Sequence, residues 1–294
     1  MSYIIQPDLN RSIQEANLNQ IIGNDPSILS GAILAAEAEA KSYLRQKYDI
    51  EKEFTETSIW DLTKTYYAAD RFYLSAPTFN PANTYPLNSL VTYNSIVYKC
   101  ISPVTVPAAF YDGNWLAIGN QYTLFFATFP EKPFTYGGLY NVGDKVFWKN
   151  SVYTCLIQTP LLDHDTGLQY RIIQNLPLAN PAPDDIQNGR ATWGIGIPYS
   201  IAAGTLPTDA TKYTQADNRD AQMVLYLIDL ALYHIHSRIA PRNIPDLRIK
   251  RYDDAIKWLR MAANGDVTIT IPVIEPHQGN RIRFGGNIKQ INSY

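Results

Sequence analysis

Neither a long apolar run nor a cluster of basic residues occurs in this chain of 294 residues. No stretch approaches the roughly 20 apolar residues that a membrane helix needs, and the first residues lack the basic and apolar regions of a signal peptide. The 25 basic and 27 acidic residues nearly balance, which argues against a dedicated nucleic-acid-binding protein. We therefore expect no membrane contact, and a protein that is made and kept in a cytoplasm.

The residue sets of common catalytic and metal sites are missing as well. There is no glycine-rich phosphate loop and no nucleophile elbow. His234 and His236 share one predicted helix but lie about 200° apart around its axis, so they cannot hold one metal together. His164 lies between two aspartates in a predicted loop, where a solvated loop is favoured over a metal site, and His277 lies in the C-terminal tail. We expect no enzyme, no metal and no cofactor.

A pattern of seventeen residues occurs twice in the middle of the chain. One copy starts at Tyr85 and the other at Tyr140, and five positions are identical. Each copy has the composition of two short strands joined by a tight turn, at Asn94-Ser95 and at Lys149-Asn150-Ser151. A tryptophan beside glycine follows each copy and could close a small core. The sequence therefore predicts two tandem β modules. Module 1 spans 76–125 and module 2 spans 126–200.

Cysteine is scarce, and its two positions are informative. Cys100 and Cys155 occupy the same position of the two copies. Equivalent positions of tandem modules normally lie a module apart, which argues against a disulfide. Free cysteine behaves as a small hydrophobic residue, so we favour two buried strand residues over a metal site.

Helical periodicity dominates on both sides of the modules. Asp25-Pro26 is a cap followed by proline at the first helical position, and apolar residues then recur at intervals of three and four up to about Tyr48. Further helices are predicted at 58–74, 217–238 and 246–263. Gly265 would cap the last of them, and the alternation from Val267 to Val273 predicts a strand.

These elements predict an α+β multidomain protein. A small α-helical bundle is interrupted by the two β modules and followed by an extended C-terminal tail. The bundle is discontinuous in sequence and comprises 1–75 and 201–266, and the tail comprises 267–294. Because the tail has too few apolar residues for its own core, we expect it to become ordered on a neighbouring subunit or another protein.

Three helical segments carry a resemblance to a known family, and the middle one runs from Asp220 to Arg238. The alanine-rich helix that passes through 36–40 into Tyr43-Leu44-Arg45 resembles the first long helix of the head-to-tail connector, or adaptor, proteins of tailed bacteriophages. The pattern Arg251-Tyr252-x-x-Ala255-x-x-Trp258-Leu259, closed by a glycine, is similar to the last helix of that family. The resemblance covers about 1–55 and 215–268, which is under half of the chain.

The resemblance implies a structural virion protein at the portal vertex, or neck, that is assembled in the cytoplasm of a bacterial host. Such connectors form a ring, usually a dodecamer, beneath the portal, joining the DNA-filled capsid to the tail. The implied partners are the portal protein, other connector or tail proteins and further copies of the chain, while DNA passes through the channel without specific binding. The candidate ring and portal contacts are Arg251, Tyr252, Trp258, Arg281, Arg283, Phe284, Lys289 and Tyr294.

The β modules resemble a different family. Tyr140-x-Val142-Gly143-Asp144-Lys145-Val146-x-Trp148 is similar to the chitin-binding-type carbohydrate-binding module of chitinases and cellulases. The first copy has Asn88-Ser89 in place of the glycine and aspartate. The positions of the aromatic sugar platform in that family hold Ser102-Pro103 and Ile157-Gln158 here.

A carbohydrate-binding virion adaptor that contacts host glycans is therefore the alternative function. Its candidate contacts are Tyr93, Trp115, Trp148 and Trp193. In modules this small such aromatic residues more often form the core, and we favour that reading. Buried rings would favour the structural role, and exposed coplanar rings would favour the glycan-binding role.

Overall fold

The computed structural model describes residues 2–135, 138–157, 183, 193–239 and 244–274, which form six α-helices and three small β-sheets. The fold is therefore of the mixed α+β class. The chain divides into two compact units. The first contains Met1–Glu131, Lys149–Ser151 and Pro198–Ile274, and the second contains Lys132–Trp148 and Val152–Ile197. The first unit thus combines the helices with module 1, a division that differs from the domain boundaries expected from the sequence.

The helices lie at the two ends of the chain. They are α1 (Gln6–Leu9), α2 (Glu15–Ile21), α3 (Pro26–Leu44), α4 (Ile50–Glu53), α5 (Ala221–Ile239) and α6 (Asp246–Asn264). The long helices α3, α5 and α6 pack on one another, and α1 and α2 pack on α5. One apolar core contains buried residues from both ends of the sequence, such as Ala36 and Leu44 of α3, Leu227 and Ile228 of α5 and Leu259 of α6. The two helical segments are therefore parts of one bundle.

Local signals set the ends of two of these helices. The side chain of Asp25 accepts a hydrogen bond of 2.8 Å from the backbone N–H of Ser27, as an N-cap does, and Pro26 is the first helical residue. Gly265 ends α6 in the left-handed conformation, with a φ of 89°. The predicted N-cap at Asp25 and the predicted end of the last helix at Gly265 are both confirmed. α3 is shorter than expected, because Tyr48 instead forms an antiparallel bridge with Val273.

Eleven short strands lie in the described part of the chain. They are β1 (Thr57–Ile59), β2 (Arg71–Tyr73), β3 (Leu90–Tyr93), β4 (Ile96–Cys100), β5 (Trp115–Asn120), β6 (Leu124–Ala127), β7 (Lys132–Pro133), β8 (Lys145–Trp148), β9 (Ser151–Thr154), β10 (Ile197–Pro198) and β11 (Tyr213–Thr214). The sheet orders are β1-β2-β6-β11, β3-β4-β5 and β10-β9-β8-β7. The last two sheets belong to module 1 and module 2.

The helix predicted at 58–74 is wrong. The segment contains β1 and β2, which pair in parallel, and Asp61 accepts hydrogen bonds from the backbone and the hydroxyl of Thr63 in the turn between them. Such a local turn competes with helix formation. Tyr66 and Phe72 are buried in a second apolar cluster that β6 and β11 complete. The helical spacing of apolar residues was fortuitous, and long-range strand pairing decided the structure.

The two predicted hairpins are confirmed. β3 pairs with β4 across Asn94-Ser95, whose φ angles are 49° and 63°. β8 and β9 are adjacent strands across Lys149-Asn150, whose φ angles are 43° and 61°. Two consecutive residues with positive φ are typical of a type I′ turn, which matches the twist of a two-residue hairpin.

The strand predicted at 267–273 is corrected to an extended segment with a single bridge. Val267, Ile269 and Ile271 pack against the helical core, so the apolar alternation marks the side of an extended chain that faces the bundle. Val273 bridges to Tyr48, and the backbone N–H of Asp49 donates to the carbonyl of Pro272 at 2.8 Å. The predicted tail beyond Ile274 lies outside the described residues.

Candidate interaction surfaces

Module 1 is built around one phenylalanine ring. Phe79 lies 5.3 Å from Tyr85, 5.9 Å from Tyr93 and 5.8 Å from Trp115, measured between ring centroids. The contacts with Tyr93 and Trp115 are edge to face, which is a favoured geometry for aromatic pairs. The aromatic residues of module 1 therefore form a minimal core.

Module 2 repeats this packing with its own residues. Phe134 lies 5.7 Å from Tyr140, 5.3 Å from Trp148 and 5.7 Å from Trp193. The angles between the ring planes are also close to those of module 1, at 88° for Phe134 and Trp193 against 86° for the equivalent pair. The four candidate glycan contacts are thus the residues that surround the central phenylalanine in the two modules.

Exposure separates these four candidates. Trp115 and Trp193 are buried, so neither ring can offer a face to a sugar. Trp148 is partly buried against the core of module 2. Tyr93 is 37% exposed, but its ring stacks on Phe110 with centroids 4.1 Å apart. Tyr93 is consequently the most accessible of the four, with one face already covered.

The two modules also share hydrogen bonds. The hydroxyl of Tyr85 accepts from the backbone N–H of Asn80 at 2.8 Å, and the hydroxyl of Tyr140 accepts from that of Thr135 at the same distance. Cys100 and Cys155 are buried and free, as predicted. Burial raises the pKa of the Cys155 thiol, which lowers its reactivity at neutral pH.

The motif of α6 is mostly directed into the bundle. Trp258 is buried and its ring lies 4.7 Å from that of Tyr226. Tyr252 donates its hydroxyl to Glu39 Oε1 at 2.7 Å, and burial together with this hydrogen bond raises the pKa of Tyr252. Arg251 lies at the surface, where its Nη1 donates to Asp229 Oδ1 at 3.3 Å. Of these three candidates Arg251 is therefore the most available to a neighbouring protein.

Two open grooves flank the outer side of α6. One, with a volume of about 460 Å³, is lined by Tyr43, Tyr252 and Arg260 among others, and the second, of about 390 Å³, by Tyr226 and Arg251 among others. Lys257 and Met261 line both grooves. They form a ridge between two depressions, an arrangement that can interdigitate with a helix of another subunit.

A buried charged cluster lies where the N-terminal segment meets the start of α5. The side chain of Arg219 is fully buried and donates to both oxygens of Asp8, at 2.7 and 3.0 Å. It also donates to both oxygens of Asp217, at 2.8 and 2.9 Å, and to the carbonyl of Tyr3 at 2.9 Å. Burial opposes the ionised form of Asp217, but the hydrogen bonds and charge of Arg219 outweigh it and lower the pKa of Asp217.

A second arginine extends this cluster toward the first sheet. Arg71 of β2 donates to the backbone carbonyl of Glu53 at 2.6 Å, and the carboxylate of Glu53 accepts from the hydroxyl of Tyr3. Burial and the Glu53 charge raise the pKa of Tyr3. The cluster therefore ties α1, α4, β2 and the start of α5 together.

The histidines form no metal site in the described part of the chain. His234 Nε2 lies 3.0 Å from Glu39 Oε2, whereas His236 Nδ1 donates to the carbonyl of Leu232 at 2.7 Å. Among the described residues no group of three or more histidine, cysteine or acidic side chains could hold a metal, and no helix is long and apolar enough to cross a membrane. The remaining candidates lie outside the described residues. They are Arg281, Arg283, Phe284, Lys289 and Tyr294, together with His164 and His277.

Sequence reasoning missed the central phenylalanines and the arginine cluster. Phe79 and Phe134 are spaced like Tyr85 and Tyr140, so extending the repeat upstream would have identified them. No pattern around Arg219 signals its burial, because only Asp217 is near it in sequence and its other partners, Tyr3 and Asp8, are more than two hundred residues away.

Comparison with family models, curated proteins and solved structures gave no match for this chain.

Proposed function

We propose that this chain is a structural virion protein, a head-to-tail connector that forms a ring beneath the portal of a tailed bacteriophage. The ring joins the DNA-filled capsid to the tail and lets DNA pass. The proposal rests on the resemblance of α3 and α6 to that family, and the β modules add surface for contacts with neighbouring virion proteins.

The single observation that carries the proposal is the shared core of the two helical segments. Leu44 of α3 and Leu259 of α6 are separated by both β modules in sequence, yet they are buried in one apolar cluster. The bundle keeps its own core although a long segment is inserted in its sequence. We expect this if the bundle mediates assembly and the inserted modules provide additional contact surface.

The outer side of α6 is the surface that we assign to ring formation. A ring needs a heterologous contact, in which different patches of two subunits meet. The Lys257 and Met261 ridge with its two grooves offers such a patch, and Arg251 adds a charge at its edge.

Cross-linking mass spectrometry of purified virus particles tests the function. We expect about one copy of this chain per portal subunit, with lysine cross-links from Lys257 to a second copy or to the portal protein. Lys64, an exposed lysine in the loop between β1 and β2, is the matched control and should give few such links. Absence from the portal vertex, or links to fibres and the outer surface alone, would contradict the connector role.

The alternative is a carbohydrate-binding virion adaptor, and the exposed part of Tyr93 is the observation that favours it. Titration with chitin or cellulose oligosaccharides, followed by tryptophan fluorescence, tests this function. Binding that Tyr93→Ala abolishes would support it. An unchanged fluorescence spectrum at millimolar oligosaccharide would exclude the carbohydrate-binding function.

A further inference from the structure

The first sheet, β1-β2-β6-β11, has the strand order of the two β modules. Its first strand pairs in parallel with its second, and its other neighbours are antiparallel. Module 2 has the order β7-β8-β9-β10, in which β7 likewise pairs in parallel with β8. In module 1 a parallel bridge from Thr78 to Thr92 of β3 takes the place of the first strand, and β3, β4 and β5 follow. The three sheets therefore have a parallel contact at the same edge.

A tyrosine makes the same contact with the backbone in all three sheets. The hydroxyl of Tyr66 accepts a hydrogen bond from the backbone N–H of Asp61, five residues earlier, at 2.8 Å. Tyr85 and Tyr140 make the equivalent bonds at the same distance in modules 1 and 2. The ring of Tyr66 also lies edge to face with that of Tyr213, with centroids 5.9 Å apart. Each module tyrosine packs in this way on the tryptophan of its module, at 5.3 and 5.2 Å.

Two backbone hydrogen bonds fix a small buried residue at the same point of each sheet. In the first sheet the N–H of Ala69 donates to the carbonyl of Ala127 at 3.0 Å, and that of Ala127 donates to Asp70 at 2.9 Å. The same two bonds, of 2.7–2.9 Å, join Asn88, Cys100 and Ser89 in module 1 and Gly143, Cys155 and Asp144 in module 2. Ala127 pairs across the sheet with Tyr213, as the two cysteines pair with Trp115 and Trp193.

The backbone conformation agrees as well. Ala69, Asn88 and Gly143 have φ angles of 69°, 70° and 93°. Positive φ is uncommon outside glycine, and alanine gains nothing from it locally. Agreement in so rare a conformation, at the same point of the hydrogen-bond pattern, indicates that the three sheets are copies of one module.

Module 1 lies in a hairpin of the first sheet. Within module 1, Tyr93 and Ile96 are paired and flank a turn of two residues. In the first sheet the equivalent residues are Leu74 and Thr123, whose backbones form a hydrogen bond of 3.1 Å. The chain between them contains β3, β4 and β5 and ends at Tyr122, which has the positive φ of a turn residue, at 65°. Module 2 likewise lies in sequence between β6 and β11, where module 1 has the connection from β4 to β5.

The first sheet differs from the modules where it meets the helical bundle. Its second strand begins with Arg71, whereas the equivalent strands begin with Leu90 and Lys145. The side chain of Arg71 is 7% exposed, and it donates to Asn218 Oδ1 at 2.7 Å and to the carbonyl of Glu53 at 2.6 Å. A buried guanidinium is costly unless it is paired, and the modules fold without one at this position. Arg71 therefore serves the junction with the bundle and not the fold of the sheet.

The N-terminal segment completes this junction. Thr57 of β1 donates its hydroxyl to the carbonyl of Tyr3 at 3.3 Å and its backbone N–H to the carbonyl of Ser2 at 2.9 Å. The backbone N–H of Tyr3 donates to Glu37 of α3 at 2.6 Å, and the hydroxyl of Tyr3 accepts from the backbone N–H of Asp220 at 3.1 Å. One short segment thus contacts the sheet, α3 and the start of α5.

We propose that the first sheet is a third β module, formed by 57–74, 123–127 and 213–214, and that it is the base that carries modules 1 and 2 on the bundle. Its binding partner is the helical bundle of the same chain, which it contacts through Arg71 and Thr57. Modules 1 and 2 both begin and end within the third module in sequence, so neither is joined to the bundle directly. The fold of the third module and its junction with the bundle consequently depend on different residues.

Hydrogen-exchange mass spectrometry of the full chain tests this division. Arg71→Leu introduces the residue that module 1 has at the equivalent position. We expect it to raise the exchange rates of the backbone N–H groups of Tyr3 and Thr57 about tenfold or more, because it leaves Glu53 without its cation. The N–H groups of Ala69 and Ala127 should keep the protection that they have in the wild type.

Tyr66→Phe is the converse variant, because it removes a hydrogen bond that all three modules share. It should raise exchange at Asp61 and Ala127 and leave Tyr3 and Thr57 protected. A parallel rise at both sets of N–H groups in either variant would overturn the inference, since the sheet and the bundle would then open as one unit. Unchanged exchange at Tyr3 and Thr57 in Arg71→Leu would overturn it as well.

A cysteine substitution tests the equivalence of the three modules. Ala127→Cys introduces the side chain that modules 1 and 2 have at this buried position, so the melting temperature should change by less than about 2 °C. Ala231→Cys, at an equally buried alanine of α5, is the matched control. There an added atom overpacks the core and should lower the melting temperature by about 2 °C or more. A larger loss than about 2 °C in Ala127→Cys would refute the equivalence.

Both experiments are independent of the connector role, because they measure contacts within one chain. A protein that is absent from the portal vertex could still show the divided exchange pattern, and only the connector role would then fail. A protein that is present at the vertex and opens as one unit would refute the third module as a separate base and leave the connector role intact.

Discussion

Replacing Arg219 with leucine should destabilise the first unit strongly. The substitution removes five hydrogen bonds of 2.7–3.0 Å and leaves the carboxylates of Asp8 and Asp217 without their buried cation. The side chain of Asp8 is 4% exposed, so water cannot replace the lost partner. Breaking a buried ion pair by removing one partner costs about 3–5 kcal/mol.

That cost corresponds to a large shift in the melting temperature. For a unit of this size, 1 kcal/mol lowers the melting temperature by about 2–4 °C, so we expect a decrease of roughly 6–20 °C by differential scanning calorimetry. Arg11→Ala is the matched control, because Arg11 pairs with the same Asp8 at 3.8 Å but is 53% exposed. A surface pair contributes about 1 kcal/mol or less. A loss in Arg219→Leu no larger than that of the control would refute the reasoning.

The pH dependence gives a second check on the same variant. Because the pKa of Asp217 is lowered in the folded state, its stabilising contribution is complete above the unfolded pKa of about 3.9 and is lost as the pH falls through the folded pKa. The difference in unfolding free energy between wild type and Arg219→Leu should therefore be constant near neutral pH and shrink below about pH 4. A difference that does not shrink at all as the pH falls below about 4 would mean that lost packing, and not the lost ion pair, causes the effect.

The remaining predictions concern local structure. Phe79→Ala and Phe134→Ala should each lower the free energy of unfolding by about 3–5 kcal/mol. Each should also remove the near-ultraviolet circular dichroism of the tryptophan in its own module. If only one of the two variants shows these losses, the two cores are not equivalent. Ser95→Gly should stabilise module 1 by about 0.5 kcal/mol in urea unfolding, because glycine adopts the positive φ of the turn without strain, and a destabilisation would contradict the type I′ geometry. Gly265→Ala should destabilise the bundle by about 1 kcal/mol in the same assay, and a neutral result would show that the left-handed cap is dispensable.

The sequence predicted those elements whose signals are local. The cap at Asp25, the stop at Gly265 and the turn at Asn94-Ser95 depend on residues within a few positions of one another. Residues 58–74 were predicted as a helix because the spacing of their apolar residues fits both a helix and the strands β1 and β2. The strand structure depends on the pairing of β2 with β6, which lies about fifty residues away in sequence. Arg219 could not be identified for the same reason, since Asp8 is over two hundred residues from it in sequence.

The aromatic candidates show a different limit of sequence reasoning. The repeat identified Tyr93, Trp115, Trp148 and Trp193 as a set, and the structure brings each of them onto a central phenylalanine. Aromatic identity alone cannot distinguish a core ring from a ring that stacks on a sugar, because both need a flat apolar face.

Two copies of one module in a single chain allow structural and functional constraints to be separated. Packing explains why Cys100 and Cys155 match, since both are buried in equivalent surroundings. Packing does not explain why the exposed residues Leu87 and Ile101 are matched by Val142 and Leu156 in the second copy. The platform positions, Ser102-Pro103 and Ile157-Gln158, have no aromatic ring to hold a sugar. If the modules bound glycans, aromatic residues should have been retained and exposed aliphatic residues should have been free to vary. The opposite pattern favours modules whose retained surface contacts protein.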